Sequence, residues 1–354
     1  MNVFCYFVEP ASYTIDLIKN IYEKHSINYS FIKSNTFCPS DKFIDAIFLD
    51  KFSFFIKLKF LLKNYRNSDF IIINGYNNYV FIFTFIFNLI SSCKRYIAID
   101  SDTQNSIPKN LFKRFIKWIY LSIVFRNRYV VGFAGGNRLH KDLFRYYGMK
   151  EHNIFLMPMM VNNFKFFQSK KIFPEIFTFL YVGRLVKHKN VENLIQCFNK
   201  HFTNKSAILK IIGSGNEEIY LKQKYASDQV LFLGKMLNDD LIYEFQQSSC
   251  LVFPSTFEPW GLVINEALSA GLPVITSNNV GASYDLVKDK NTGMIASNME
   301  DFGNKMLELY NNNNLLIDFS KNASDLMLKY WNYHLYKKCL LEAMKKINAS
   351  KRVF

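Results

Sequence analysis

Four side chains in the second half of this sequence could handle an anionic, hydroxyl-rich ligand. They are the cations Arg184 and Lys189, five positions apart, and the carboxylates Glu258 and Glu266, eight apart. A guanidinium and an ammonium held in one turn can clamp a pyrophosphate, and a helix N-terminus beside them adds free amides and a favourable dipole. The carboxylates suit sugar hydroxyls, one for a hexose and one for a ribose, while amides near Gly261 and Leu262 could meet phosphate or hexose oxygens. The plain alternatives are a solvated basic turn, a helix N-terminal charge at Glu258 and an exposed helix face at Glu266. Because Glu266 is flanked by Ile264 and by Ala267 and Leu268, solvation alone is a poor use for it.

The surrounding pattern must position these groups. A β-rich run over 178–182 leads into Gly183 and Arg184, and a helical pattern with Val191, Leu194, Ile195 and Phe198 follows. Ligands of open parallel sheets bind where strand ends meet helix N-termini, which is where this turn lies. A second strand, over 207–212, ends in Gly213-Ser214-Gly215, a weak signal by itself, and Gly234 follows a third. A fourth strand ends at Pro254, a helix is expected to begin near Pro259, and Gly271 with Pro273 stops it. With helical residues between them, Glu258 and Glu266 would stand about two turns apart and face one pocket.

Short β-rich runs alternate with helical patterns along the whole chain, the mark of parallel α/β layers. Six strands are expected in each half, with a polar, basic linker over 163–175. The chain divides into domains at 1–165 and 166–330, with a C-terminal helix over 331–354 that could cross back to the first domain. None of the 14 glycines precedes Gly75, which excludes a G-x-G-x-x-G fingerprint after the first strand, and nine fall between Gly183 and Gly303. The close backbone approaches, and a nucleotide, are therefore expected in the second half.

At 354 residues, 49% hydrophobic and 21% charged, the composition is globular. The apolar run over 79–90 is too short to span a membrane and reads as a buried helix. The N-terminus lacks the basic region of a signal peptide, so a cytoplasmic protein is expected. Six scattered cysteines, without a C-x-x-C pair, give no zinc site, and Cys5 and Cys250 read as buried thiols. The net charge of +15 calls for an acidic partner. Residues 51–66 carry five basic and no acidic side chains, and 108–128 carry six and none. Lys109, Lys113 and Lys117 recur at i, i+4 beside Phe112, Ile116, Ile119 and Ile123, and Lys59 and Lys63 stand opposite Leu58, Leu61 and Leu62. Such basic amphipathic helices suit an anionic membrane surface, ordinary solvated helices being the alternative. No nucleic-acid motif accompanies the charge.

Together, Gly183-Arg184-Leu185 with Lys189, Gly213-x-Gly215, Gly234 after a strand, and E-x7-E from Glu258 to Glu266 resemble the donor half of glycosyltransferase family 4, over about 178–297. That resemblance implies an α/β protein of the GT-B fold, two facing doubly wound, Rossmann-like domains with a cleft between them, and retention of anomeric configuration. It implies that Arg184 and Lys189 bind the donor diphosphate, Glu266 the ribose and Glu258 the transferred sugar. Leu233-Gly234-Lys235-Met236 is similar to the segment that packs on the nucleotide base, and Gly183, Gly213, Gly215 and Trp260-Gly261-Leu262-Val263 complete the donor contacts. Segments around 69–76, 100–102 and 131–158 look like N-terminal domains of bacterial polysaccharide glycosyltransferases. There Asp100 and Asp102 could face the acceptor, act as a base, hold a metal or merely end a strand. No metal and no other cofactor is expected.

The chain departs from that family in two places. It has Glu9-Pro10-Ala11 in place of glycines after the first strand, and His25, His140 and His152 read as surface residues. The expected activity is sugar transfer from a nucleotide sugar, a UDP sugar, to a lipid-linked saccharide in bacterial surface polysaccharide assembly, whether O-antigen or capsule. The enzyme would sit peripherally on the cytoplasmic face of the inner membrane. The alternatives are a sugar-nucleotide epimerase of the same fold and a non-catalytic membrane-binding subunit.

Overall fold

The computed structural model describes the backbone of residues 1–34, 46–100 and 103–352. These form two compact units, Met1–Met160 together with Tyr333–Phe354, and Val161–Asn332.

In the first unit the strands are β1 (Val3–Phe7), β2 (Asn28–Phe31), β3 (Phe70–Ile73), β4 (Tyr96–Asp100), β5 (Val130–Ala134) and β6 (Ile154–Leu156). They build one parallel sheet in the order β2-β1-β3-β4-β5-β6. Helices α1 (Ser12–Leu17), α2 (Phe54–Asn67), α3 (Tyr79–Ile90), α4 (Leu111–Phe125) and α5 (Leu139–Tyr146) connect them. The steps from β3 to β6 all advance in one direction, so right-handed crossovers lay α3, α4 and α5 on one face, and the step from β2 over β1 to β3 adds α2 there. Side chains alternate across β1 accordingly. Phe4 and Tyr6 join the core under those helices, with Leu61, Phe81, Leu121 and Phe144, while Phe7 packs edge-on to Tyr22 on the opposite face.

The second unit is again a six-stranded parallel sheet, of β7 (Phe177–Val182), β8 (Ala207–Ile212), β9 (Val230–Gly234), β10 (Cys250–Phe253), β11 (Val274–Ser277) and β12 (Gly293–Ala296), but in the different order β12-β11-β10-β7-β8-β9. Its helices are α6 (Asn163–Phe166), α7 (Val191–Phe202), α8 (Glu218–Tyr225), α9 (Asn238–Gln246), α10 (Leu262–Ser269), α11 (Met299–Asn311) and α12 (Asn313–Lys329). The final helix, α13 (Tyr333–Arg352), belongs to the first unit, where the hydroxyls of Tyr336 and Tyr22 lie 2.8 Å apart in its interior.

All twelve strands stand within two residues of their expected positions, because short, nearly continuous apolar runs bounded by turn residues are a strong local signal for strands buried on both faces. Three other expectations change. The segment over 163–175 is packed into the second unit rather than strung between domains. Buried Asn163 donates to the carbonyls of Met327 (2.7 Å) and Trp331 (2.9 Å) and accepts from Ser269 (3.1 Å). Lys171 donates to the carbonyls of Phe245 and Gln246, and burial pulls its ammonium down to about 7. His140, in the first turn of α5, is buried, and burial lowers it to about 4, so the surface reading fails there. And α3 is only half buried, for Ile82, Ile86, Leu89 and Ile90 point outward. Cys5 and Cys250 are buried free thiols.

Candidate active site

In the second sheet, β8 and β9 extend the sheet to one side of β7 while β10, β11 and β12 extend it to the other. The strand order thus reverses between β7 and β10. Such a reversal leaves a crevice beyond the strand ends, because the following helices depart to opposite faces. Arg184 and Lys189 leave β7 on one side of this point, and Glu258 leaves β10 on the other.

After β7 the chain makes a short 3₁₀ turn over Lys187–Lys189, and Asn190 takes a left-handed conformation (φ 63°) that opens α7. After glycine, asparagine and aspartate tolerate that conformation best. The turn is stitched to the segment after β10. The backbone N–H and hydroxyl of Thr256 both donate to the His188 carbonyl, at 2.8 and 3.1 Å, and Asn190 reaches the Pro254 carbonyl at 3.3 Å. Lys189 is thereby drawn inward, its Nζ 5.0 Å from the centre of the Phe253 ring and bonded to the Glu258 carboxylate. These two side chains are only 10% and 18% exposed. Arg184 is exposed, two residues beyond the end of β7 in the same connection.

Glu258 precedes the helix instead of opening it. Its N–H donates to the Asn279 carbonyl (3.2 Å) and its carbonyl accepts from Gly281 (3.0 Å), an isolated parallel bridge that fixes its backbone. Gly261 follows with φ 92°, and α10 starts at Leu262. A Cβ on Gly261 would press on Val280, Glu258 and Phe253 at 3.2–3.4 Å, so this turn is closed to larger residues twice over. The helix start near Pro259 and the two-turn spacing of Glu258 and Glu266 are therefore corrected. Only Glu266 is helical, one turn beyond Leu262 on the same face of α10. Gly261 supplies no side-chain cap, and while the Ile264 N–H donates to the Gly261 carbonyl (2.9 Å), the amides of Leu262 and Val263 are donors without intrahelical partners. The Glu266 residue is partly exposed, yet its carboxyl is enclosed enough that burial pushes it up to about 7.

The glycines act mainly on backbone packing. Gly213 has φ 143°, and a Cβ there would fall 1.8 Å from the Gly183 carbonyl oxygen. Its N–H donates to Gly234 (2.8 Å), while Gly183 donates to Ile212 (3.0 Å) and Leu185 to Ser214 (2.9 Å). A Cβ on Gly215 would likewise meet the Leu185 carbonyl oxygen at 2.3 Å. The ends of β7, β8 and β9 are laced together in this way. Gly234, Lys235 and Met236 leave β9 three strands from β10, about 14 Å at roughly 4.8 Å per strand. The row of strand ends therefore fits an elongated ligand.

Trp260 is not an open contact. It is 3% exposed, its Nε1 donates to Asn265 (2.8 Å), and its ring stacks on Trp331 at 5.7 Å, so it anchors the turn. The Asn279–Val280–Gly281 backbone that holds Glu258 is a component not expected beforehand. Its only trace in the sequence is the turn chemistry of Asn278-Asn279-Val280-Gly281. In the first unit, Asp100 ends β4 with its carboxylate accepting from Asn74 Nδ2 (2.5 Å) and the Gly75 N–H. It ties down the loop after β3. Asp102 lies outside the described residues.

Against known proteins, residues 162–326 match the family model described as Glycosyl transferases group 1. An uncharacterised glycosyltransferase of Methanocaldococcus jannaschii is 36% identical over 119 residues, 32% of this chain and 30% of that protein. The chain thus matches under a third of that relative's length. Sucrose-phosphate synthase of Thermosynechococcus elongatus superposes with a TM-score of 0.75 over 99% of this chain and 100% of that one, at 16% identity. The Anabaena protein HepE, solved in complex with UDP, gives 0.71 over 98% and 100%, at 14%. The fold is the two-domain α/β GT-B fold of glycosyltransferases, and its second unit carries the group 1 glycosyl transferase match.

Proposed function

We propose that this chain is a retaining glycosyltransferase of family 4 that moves a sugar from a nucleotide sugar, a UDP sugar, to a lipid-linked saccharide. The setting is assembly of a bacterial surface polysaccharide at the cytoplasmic face of the inner membrane. The observation that carries the proposal is the Lys189–Glu258 pair at the strand-order reversal, with Arg184 in the turn that supplies Lys189 and the α10 N-terminus following Glu258 in the chain.

In this reading the donor lies along the strand ends, its base near Gly234, Lys235 and Met236 and its diphosphate between Gly183, Arg184 and Lys189. Glu266 meets the ribose and Glu258 the transferred sugar. Cleavage of the bond between the anomeric carbon and phosphate oxygen develops negative charge on the departing nucleoside diphosphate. Arg184, Lys189 and the amides of Leu262 and Val263 stabilise that charge with dipoles and cations fixed in advance. Glu258 has two tasks, orienting Lys189 and accepting sugar hydroxyls. The acceptor hydroxyl attacks from the face the diphosphate leaves, the new carbon–oxygen bond forms there, and the proton passes to the leaving phosphate. No metal is required.

The test is incubation with UDP sugars and bacterial lipid extracts containing lipid-linked saccharides, read by mass spectrometry of the lipid. A lipid product heavier by one sugar, together with free UDP, is expected. Isomerisation of the nucleotide sugar without an acceptor, or no stabilisation by any nucleoside diphosphate, overturns the reading.

A further inference from the structure

A surface helix normally turns its apolar stripe to the core and its charges to water. In the first unit α4 reverses part of this rule. Leu111, Phe112, Phe115, Ile116, Ile119 and Ile123 are each 42–78% exposed, and only the C-terminal part of the helix, with Leu121, Val124 and Phe125, is buried. Its neighbour α3 carries no charge at all, and its outward stripe of Ile82, Ile86, Leu89 and Ile90 is 43–78% exposed at the spacing of one helix face. The start of α2 adds Phe54, Phe55 and Ile56, and the Phe54 ring meets Phe83 of α3 at 5.9 Å. Isolated exposed apolar residues are ordinary, whereas a field shared by three helices on one sheet face marks a docking surface.

The charges around it select the partner. Neither α2, α3 nor α4 contains an acidic residue, whereas Lys57, Lys59, Lys63, Lys113, Arg114 and Lys117 stand among the apolar groups. A second copy would bring the same cations against these, so self-association is opposed by like charge. An anionic lipid bilayer satisfies both features, with hydrocarbon for the apolar side chains and headgroups for the cations.

We infer that the outer faces of α3 and α4, with the start of α2, insert their apolar side chains into an anionic bilayer, so that charge attracts the protein but apolar burial holds it. This gives the proposed function its docking surface and rests on that reading only for the acceptor's location. Vesicles lacking glycolipid and nucleotide sugar test insertion whether or not sugar transfer is found.

Trp118 makes the test direct. It is 41% exposed on α4, whereas the other two tryptophans, Trp260 and Trp331, are 3% and 1% exposed and stack on each other. On adding vesicles of equal phosphatidylethanolamine and phosphatidylglycerol, Trp118 emission should shift to the blue and be quenched by brominated acyl chains. Phe112→Ser/Ile116→Ser should lower the partition coefficient at least about tenfold, since each removed side chain would have been buried in the bilayer. High salt should weaken wild-type binding without removing the blue shift. Emission that stays unshifted while salt abolishes binding means adsorption by charge alone and overturns the inference. So does a serine double variant that partitions like wild type, or a concentration-dependent dimer that the double variant loses while vesicles are ignored. Should the variant unfold, brominated-lipid quenching of the wild type decides alone.

Discussion

Helices α4 and α7 do the same topological work, each crossing from one parallel strand to the next, yet they meet solvent in opposite ways. In α7 the apolar positions Val191, Leu194, Ile195, Phe198 and Phe202 are all buried, and Glu192 and Lys200 face outward. In α4 the apolar positions outnumber what the sheet can cover, and the excess stays outside. The strand ends differ as sharply. Those of the second unit bring a cation, an ion pair and an uncapped helix N-terminus to the strand-order reversal, while Asp100 in the first is spent on holding a neighbouring loop. Two six-stranded parallel sheets thus differ in what they present, charged and polar groups at the strand ends of one and an apolar outer helix face on the other.

The most severe way to break that contrast is to remove the charges at the reversal. Lys189→Ala and Arg184→Ala should each lower turnover by about 10² to 10³, the usual cost of losing one fixed group that stabilises developing charge. Lys189→Ala should be the worse of the two, because it also leaves the Glu258 carboxylate, 18% exposed, without its cation. Steady-state transfer rates decide this, and turnover within threefold of wild type for both variants removes the clamp. A second test separates packing glycines from an open one. Gly213→Ala forces a Cβ against the Gly183 carbonyl and should cost several kcal/mol, on the order of 3 or more. At Gly234, φ is 70° with nothing within 4 Å, so Gly234→Ala should cost only about 1–2 kcal/mol of left-handed strain. Equal losses in urea unfolding would mean that the lacing of β7 and β8 is not what Gly213 serves.

Glu266 sharpens the contrast through pH. Its carboxyl is raised from 4.5 to about 7, so the folded state holds a proton that the unfolded chain has released. The stability this confers is complete below about pH 4.5 and is lost as pH rises through 7, by up to about 3 kcal/mol at 1.36 kcal/mol per unit. Glu266→Gln should flatten the pH 5 to 7 slope of thermal stability. Lys171, lowered to about 7 from 10.5, acts mainly above that window. An unchanged slope in the variant assigns the titration elsewhere.

How much of this could be read from the chain depended on the range of the interaction. The strands, the Gly183 turn and the Gly213 turn are local signals and stand where their residues imply. The Lys189–Glu258 pair joins residues 69 apart in sequence, and no periodicity records it. The helix start was displaced from Pro259 because Gly261, in a positive-φ conformation, postpones α10 to Leu262. The polar composition of 163–175 suggested a linker, but Asn163 spends its polarity on buried carbonyls of its own unit. For α3, an apolar sequence says that water is avoided without saying what covers the helix, and the outward stripe emerged only once the sheet was in place.

The smallest expected effect is none at all, and it bears on Asp100. If the first unit contributes no ionic chemistry, transfer should continue within about twofold in excess EDTA, the cations of the second unit having replaced a metal at the diphosphate. Loss of activity on chelation, restored by Mg²⁺, would bring Asp100 and Asp102 back as ligands and erase the contrast between the two strand-end regions. Asp100→Ala separates the same possibilities by another route. Removing the carboxylate strands the Gly75 N–H and the Asn74 amide, donors whose desolvation costs about 1–3 kcal/mol each if no other acceptor replaces it. Stability should therefore fall with no new dependence on metal. A variant as stable as wild type, and inactive in Mg²⁺ as well as in EDTA, would instead place Asp100 against the acceptor and give the first sheet a chemical task of its own.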